Sequence, residues 1–509
     1  MTRSGRTLLA MAIAALVGAA PARGADLVET YRMAKQFDPV YASAKAQRDA
    51  GLERLPQGLA GLLPTVTASA NTNWNDVDNR STNRSFQFNS NGWLVQLTQP
   101  LFRWQNFVQY GQAQWQVQQS ESQFGQAQQD LVVRVAQAYF DILAAQDSLA
   151  FVKANKVAIG EQLAQAKRNF EVGTATITDT NEAQARFDLA GAQEIAAIND
   201  LEVRQRALQQ IIGRYPDNVA PVRGKFDLTP PEPNDMAKWV ESSLVNNFGV
   251  KANEAAVEIA EREVQRQRAA HYPTVDLVGS VRQDTGGNAA LTGVRTDIEQ
   301  NVIGVQVQMP LFAGFGTVSR TREAGHLRAK ATQDLENARR QAEFSTRQAF
   351  LGVTNGMAQV KALEQAEKSS EVSLQSNRVG YEVGVRINID VLNAQQQLFS
   401  TRRDLSRSRY DTIVNGLKLK AAAGTLTEAD LEQVNMLLDP TRAFQPAPMQ
   451  TTPGPRSEAP AAPAAQPVQS STAPAAAPVM VAQVSSPKAT QAADAPAVSA
   501  VKTAKPRRK

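Results

Sequence analysis

Apolar positions along the chain follow two periods, and the switch between them sets out the fold. From Leu131 through Val135, Ala138, Ile142, Ala145, Leu149 and Val152 they step by four and three, and Ile159, Leu163, Ala166 and Phe170 continue the seam. Such spacing predicts long coiled-coil helices with one apolar stripe. Proline usage agrees: none falls between Pro100 and Pro216 or between Pro310 and Pro440, and both stretches are rich in Ala, Gln, Leu, Glu and Arg, the strong helix formers. Val172-Gly173-Thr174 and Val383-Gly384-Val385 interrupt the pattern, Gly being the residue that most readily takes a left-handed helix cap. Each stretch is therefore expected to be a helical hairpin, with long helices at about 105–171 and 317–382 and short returning helices at about 180–212 and 391–423.

Ahead of each hairpin the period drops to two. Val66, Ala68, Ala70, Thr72 and Trp74 alternate with Thr67, Ser69, Asn71 and Asn73, and Trp93, Val95 and Leu97 lead to Pro100 in the same way. Val275, Leu277, Gly279 and Val281 alternate with Asp276, Val278, Ser280 and Arg282, while Ile303, Val305, Val307 and Met309 alternate with Gly304, Gln306 and Gln308. These are strand pairs at about 65–99 and 274–309. Strands of about 9 to 11 residues, apolar on one face and polar on the other, suit a membrane β-barrel with lipid outside and water within. Trp74, Trp93, Phe102, Trp104, Tyr272 and Phe312 are candidates for its interfacial girdles. A soluble β-sandwich fits less well, because one alternating face is apolar and the other plainly polar. Four strands fall short of closure, since about eight is the smallest barrel. Two copies of the chain would give a barrel filled by side chains, and three would give twelve strands around a water channel.

The two halves are duplicates at an offset near 210 residues. Thr98-Gln99-Pro100-Leu101-Phe102 answers Gln308-Met309-Pro310-Leu311-Phe312, and Leu63-Pro64-Thr65-Val66 answers Tyr272-Pro273-Thr274-Val275. Gln137-Ala138-Tyr139-Phe140 answers Gln348-Ala349-Phe350-Leu351, Glu171-Val172-Gly173 answers Glu382-Val383-Gly384, and Gly213 answers Gly424. A helix from about 105 to 171 is roughly 100 Å long, and the returning helix covers about half of it. The helix preceding each strand pair, ending near Leu63 and Ala270, has the missing length; Pro56 is expected to kink or shorten the first of these.

Composition trims the remaining possibilities. The chain has 509 residues, no Cys and only two His, His271 and His326, which removes disulfide scaffolds, thiol chemistry and His-rich metal centres. Residues 1–24 place Arg3 and Arg6 before an apolar run, Leu8 to Ala20, and end in small residues, the form of a cleavable secretory signal. Residues 446–509 hold 12 of the 25 Pro among Ala, Gln, Ser and Val, a disordered tail by composition. Of the net +5, the leader supplies +3 and the tail +5, seven basic residues against Glu458 and Asp494, which leaves −3 for residues 25–445. The basic balance belongs to the ends, so nucleic-acid binding loses its support. The chain divides into a leader, a first repeat at 25–232, a second at 233–445 and the tail.

The duplicated strand pairs, the Pro-free helices, the strand-exit motif Gln-Pro-Leu-Phe at 99–102 and the helical tips at 171–179 and 380–394 together resemble the TolC family of outer-membrane efflux and type I secretion ducts. The resemblance implies a mainly helical subunit with membrane β-strands, three of which form a twelve-strand β-barrel in the outer membrane of a Gram-negative cell, continued by a twelve-helix barrel across the periplasm. It implies no catalytic site and no cofactor, with a periplasmic adaptor and an inner-membrane pump as partners. By motif match, Asp179 of the first tip, with Thr178 as an accessory acceptor, would latch to Tyr381 and Arg386 of the second and hold the periplasmic end closed. A phenol and a guanidinium both donate to a carboxylate, in charge-assisted bonds strong enough to latch and open to exchange. Asp390 and Asn393 match the family's pore constriction, where the amide leaves three carboxylates in a trimer instead of six. Val172, Gly173, Thr174, Val383, Gly384 and Val385 would face the adaptor.

Other classes explain less of the sequence. A periplasmic coiled-coil adaptor or structural envelope protein without a barrel would leave four amphipathic strands idle. An envelope hydrolase needs a nucleophile and base that the sequence does not bring into view, and a general porin would not be so helical.

Overall fold

The computed structural model describes residues 25–80, 83–216, 219–223, 228–286 and 296–439; the leader and the Ala/Pro-rich tail lie outside them. The chain begins with three helices, α1 (Leu27–Phe37), α2 (Pro39–Leu52) and α3 (Arg54–Ala60), followed by the hairpin β1 (Thr65–Asn79) and β2 (Arg84–Phe102). The long α4 (Trp104–Glu171) turns into α5 (Ile177–Ile212). The second copy repeats the order with α6 (Met236–Asn246), α7 (Phe248–Arg268), β3 (Thr274–Thr285), β4 (Asp297–Gln308), α8 (Gly316–Glu382) and α9 (Asn388–Ala422), and α10 (Glu428–Asn435) closes the described chain.

Two elements depart from expectation. The first pre-strand helix is broken into three segments. Asp38 caps α2 by accepting from the Tyr41 amide at 3.0 Å, Pro39 opens that helix, and Pro56 sits in the first turn of α3, where its missing N–H costs nothing. The first-copy strands also run to 15 and 19 residues, longer than the 9 to 11 that a bilayer requires. The excess lies at the hairpin end, where the chemistry inverts: Asp76, Asp78 and Gln87 share the face of Trp74, and Val77, Phe86 and Phe88 take the other.

The four strands make one antiparallel sheet in the order β1-β2-β3-β4, so the two repeats meet at the β2–β3 ladder. Register assembles the alternating patterns into faces. Val66 opposes Leu97, Ala68 opposes Val95 and Ala70 opposes Trp93; Val95 then opposes Val281, and Gly279 opposes Ile303. All of these share one face, and Thr67, Gln96, Ser280 and Gln306 occupy the other. From Val66 to Trp74 the apolar band rises ~27 Å along the strand, or a little over ~20 Å after the 35–45° tilt usual in membrane barrels.

Where strand becomes helix, Arg103 forms a two-pronged ion pair with Asp276 of the other repeat, at 2.7 and 2.6 Å. Asp276 is 7% exposed and Arg103 is partly open to solvent, so this half-buried pair fastens the first long helix to the third strand through charge-assisted bonds. Below the sheet, α4 packs between α5 and α9, α8 lies against α9, and α7 covers both α4 and α8. The helices α2 and α3 lie against α4. The α9 turn comes so close to the joint between α6 and α7 that a side chain at Gly424, where φ is +73°, would strike the Asn246 backbone. That approach lets Asn247 donate to the Ala422 carbonyl at 2.9 Å.

The largest core forms halfway along the helices, where α1, α4, α5, α9 and α10 converge on Leu131, Val135, Tyr139, Phe140, Leu208, Leu417 and Leu431. Tyr139 is fully buried, and its hydroxyl donates to the carbonyls of Ala25 at 3.2 Å and Ala220 at 2.9 Å. Short bridges Ala25 to Val219 and Val222 to Leu438 bring both ends of the described chain to this level. On α4, burial pushes the Asp147 carboxyl above its ordinary value, against hydrogen bonds from Tyr410, at 2.7 Å, and Ser406. Below the unfolded value Asp147 is protonated in both states, and no stability is lost. As pH rises from there through the raised folded value, the folded state loses stability relative to the unfolded chain. Asp147→Asn is therefore expected to raise the denaturant midpoint over wild type at about pH 8, with the gain vanishing near about pH 3. A gain of equal size at both pH values would contradict this account.

Candidate functional site

The two helical tips carry the residues matched to gate, constriction and adaptor contact. The first long helix ends at Glu171, and Gly173 takes φ +78°, so that the Gly173 amide donates to Phe170 at 3.0 Å and the Thr174 amide to Asn169 at 2.8 Å. The second ends at Glu382 with Gly384 at φ +76°, the Gly384 amide donating to Tyr381 at 3.1 Å and the Val385 amide to Gly380 at 2.8 Å. No atom lies within 4 Å of a side chain built at either Gly, so the backbone alone imposes the residue type. Apolar side chains project from both turns into solvent: Val172 is 73% exposed, Val383 67% and Val385 79%, with Ile177 and Ile387 beside them. An isolated helix cap has no need of these exposed apolar side chains.

Within one chain the proposed latch is not assembled. Asp179 closes the capping box of α5, its Oδ2 accepting from the Thr176 amide at 3.0 Å and the Thr176 hydroxyl at 2.8 Å. Thr178 is exposed beside it. Tyr381 is half-buried at the end of α8, its hydroxyl accepting from Asn169 Nδ2 at 3.3 Å, so it already ties the two tips together. Arg386 folds back over Gly380, whose missing side chain leaves the space, and its Nη1 lies 3.7 Å from Asp390 Oδ2. The structure thus joins Tyr381 to the first tip and Arg386 to Asp390, and leaves the Asp179 carboxylate with its own helix.

Asn393 Oδ1 accepts from Arg186 Nη2 at 3.1 Å, and Arg186 Nη1 donates to Gln396 at 2.8 Å. No motif match marks Arg186, whose role shows in these contacts. The duplication holds the clue, for Arg186 stands in Asn181–Arg186 where the second copy, Leu392–Gln397, has Gln397. Asn393 is therefore held by a cation from the other repeat. Asp390 is the carboxylate of this pair of positions, and Arg386 lies beside it. Asp390→Ala is expected to weaken block by multivalent cations severalfold in single-channel recordings. Unchanged block would show that this carboxylate does not bind them.

No helix among the described residues is long and apolar enough to cross a membrane, and none of them gather into a metal-binding group. The described His271 and His326 are exposed, the first just before β3 and the second on α8.

A four-stranded sheet with one apolar face, leading into helices about 100 Å long, suits a channel that crosses an outer membrane and continues beneath it. A family profile described as "Outer membrane efflux protein" matches residues 30–214 and 239–425, one match for each repeat. The outer membrane protein TolC of Vibrio cholerae is 34% identical over 413 residues, covering 81% of this chain and 93% of that one. The alkaline protease secretion protein AprF of Pseudomonas aeruginosa is 33% identical over 416 residues, covering 80% and 86%. Among solved structures, the outer membrane protein VceC of Vibrio cholerae superposes with a TM-score of 0.68 at 18% identity, covering 78% of this chain and 96% of that one.

The chain belongs to the outer membrane efflux protein family. It is a non-enzymatic channel subunit of the outer membrane whose helices extend into the periplasm, which sets aside the reading of a barrel-less adaptor or structural protein.

Proposed function

We propose that three copies of this chain form one continuous duct that receives cargo in the periplasm and releases it outside the cell. The observation that carries the proposal is the sheet itself: four strands with an apolar face and two unpaired edges, β1 and β4. An open sheet cannot rest in a bilayer, because each unpaired backbone group there costs several kcal/mol. Three copies supply twelve strands, enough to leave an aqueous lumen. The helices point the same way, since α7 lies between α4 and α8, whereas its first-copy counterparts α2 and α3 have α4 on one side and need a second long helix on the other.

The duct is passive, and energy comes from an inner-membrane pump through a periplasmic adaptor that covers Val172, Gly173, Thr174, Val383, Gly384 and Val385. The exposed apolar side chains at both turns support that docking face. At rest the tips converge until Asp179, with Thr178, meets Tyr381 and Arg386, the carboxylate exchanging its own cap for donors of another chain or repeat. Asp390 and Asn393 line the narrowing below. Relatives named for protease secretion support an exported protein as one cargo, and the same architecture passes small molecules. The test is electrophoresis of outer-membrane fractions without boiling. The expected result is an SDS-resistant trimer that collapses to monomer on heating and conducts in planar bilayers; a monomer in the soluble periplasmic fraction would end the proposal.

A further inference from the structure

The duplication specifies what the two free strand edges meet. Inside the chain, β2 and β3 pair from Asn91 opposite Thr285 to Gln99 opposite Leu277, with a shift between Pro100 and Phe102. Thr98–Phe102 corresponds to Gln308–Phe312, 210 residues on, and Leu63–Val66 to Tyr272–Val275, 209 residues on. The hairpins provide an internal check of these offsets. Thr65 opposes Thr98 in the first copy; carried forward, the pair becomes Thr274 and Gln308, which are opposed in the second. Carrying the β2–β3 ladder forward by the same steps pairs β4 with β1 of another molecule.

We infer that β4 of one subunit joins β1 of the next with Ile303 opposite Trp74 of the partner subunit, Val305 opposite Thr72 of the partner subunit, Gln306 opposite Asn71 of the partner subunit and Val307 opposite Ala70 of the partner subunit. This inference rests on the trimeric duct and adds its register. Three features support it. The mapped pairs keep the faces apart, with Ile303, Val305 and Val307 on the apolar side and Gln306 on the polar side together with their partners; a slip of one residue would mix the faces. Every residue of β4 is exposed, Ile303 at 82%, as expected of an edge that is covered only on assembly.

The third feature is the exit motif. In the first copy Pro100 and Phe102 lie within the strand, paired with Asp276 and Val275. In the second, β4 stops at Gln308, and Leu311 and Phe312 stand 89% and 75% exposed. The same motif is a strand where its partner strand belongs to the chain and irregular where it does not, so Met309–Phe312 complete their strand on the neighbouring β1. Ala313 and Thr67 occupy the places of Arg103 and Asp276, so the seam between subunits has no counterpart of that ion pair.

The Cys-free chain makes the register directly readable. Two double variants, Val305→Cys with Thr72→Cys and Gln306→Cys with Asn71→Cys, cover both pair types of an antiparallel ladder, whose Cα separations alternate between ~4.5 and ~5.5 Å. After oxidation of purified full-length protein, at least one should migrate as a covalent trimer when boiled without reductant, with most chains cross-linked, and return to monomer with reductant. Slipped controls, Val305→Cys with Ala70→Cys and Gln306→Cys with Ser69→Cys, should give several-fold less. If the trimer resists SDS unboiled yet only the slipped pairs cross-link, or none do, the register is wrong and the duct stands. If no variant and no parent forms an SDS-resistant trimer, the duct reading fails and the register with it.

Discussion

Tyr381→Phe combined with Arg386→Glu is expected to raise the open probability of the duct in planar bilayers by about tenfold or more. Each donor lost to a carboxylate removes ~1.5–3 kcal/mol, and a differential of that size between closed and open states moves their ratio by about an order of magnitude or more per chain. The structure adds a second contribution. Arg386, in the turn before α9, lies 3.7 Å from Asp390 in the first turn of that helix, and reversing its charge sets two carboxylates against each other. Repulsion there pushes the second tip away from its resting packing and acts with the loss of the phenol, whose oxygen accepts from Asn169 of the first tip. Conductance indistinguishable from wild type would show that these residues do not hold the closed end.

Phe140→Ala should be strongly destabilising. The ring is 1% exposed, stacks on Tyr410 with centroids 5.7 Å apart and meets Tyr139 edge-on at 5.8 Å. Removing it costs ~3–5 kcal/mol per chain by the behaviour of other buried aromatics, and a trimer bears that loss three times. The neighbours give no easy collapse: Tyr139 is held by two backbone carbonyls, and Tyr410 by Asp147. The denaturant midpoint of the assembled protein should therefore fall far more than for Val157→Ala on the same helix, whose side chain is 64% exposed. Equal effects would mean that the midpoint of the helices is not the stability centre.

Legibility in the sequence followed the length of the signal. The long helices were plain because Leu131 to Phe170 sustains one period over many turns with no Pro, and the apolar strand faces because Val275 to Val281 and Ile303 to Met309 alternate cleanly. The inverted polarity at the end of the first hairpin was missed, since Phe86 and Phe88 among polar residues have no meaning until their register with Asn75 and Val77 is known. The tips were legible as caps from Gly173 and Gly384. Their partners were not, because Tyr381 to Asn169 and Asn393 to Arg186 span more than 200 residues of sequence.

By itself, the sequence determined the duplication, the alternation of period, the left-handed turns at the tips and the absence of any thiol or His-rich centre, all of them properties of residue order and residue type. Tertiary structure decided which elements meet. It joined the repeats through β2 and β3, set Arg103 on Asp276, turned Asp179 inward to its own cap, and left β1 and β4 as open edges. The division has a physical cause: propensity and periodicity act over a few residues and are written locally. Ladder register, buried ion pairs and free edges depend on distances between segments far apart in the chain, and for the last two strands on a neighbour that the chain can meet only as another copy of itself.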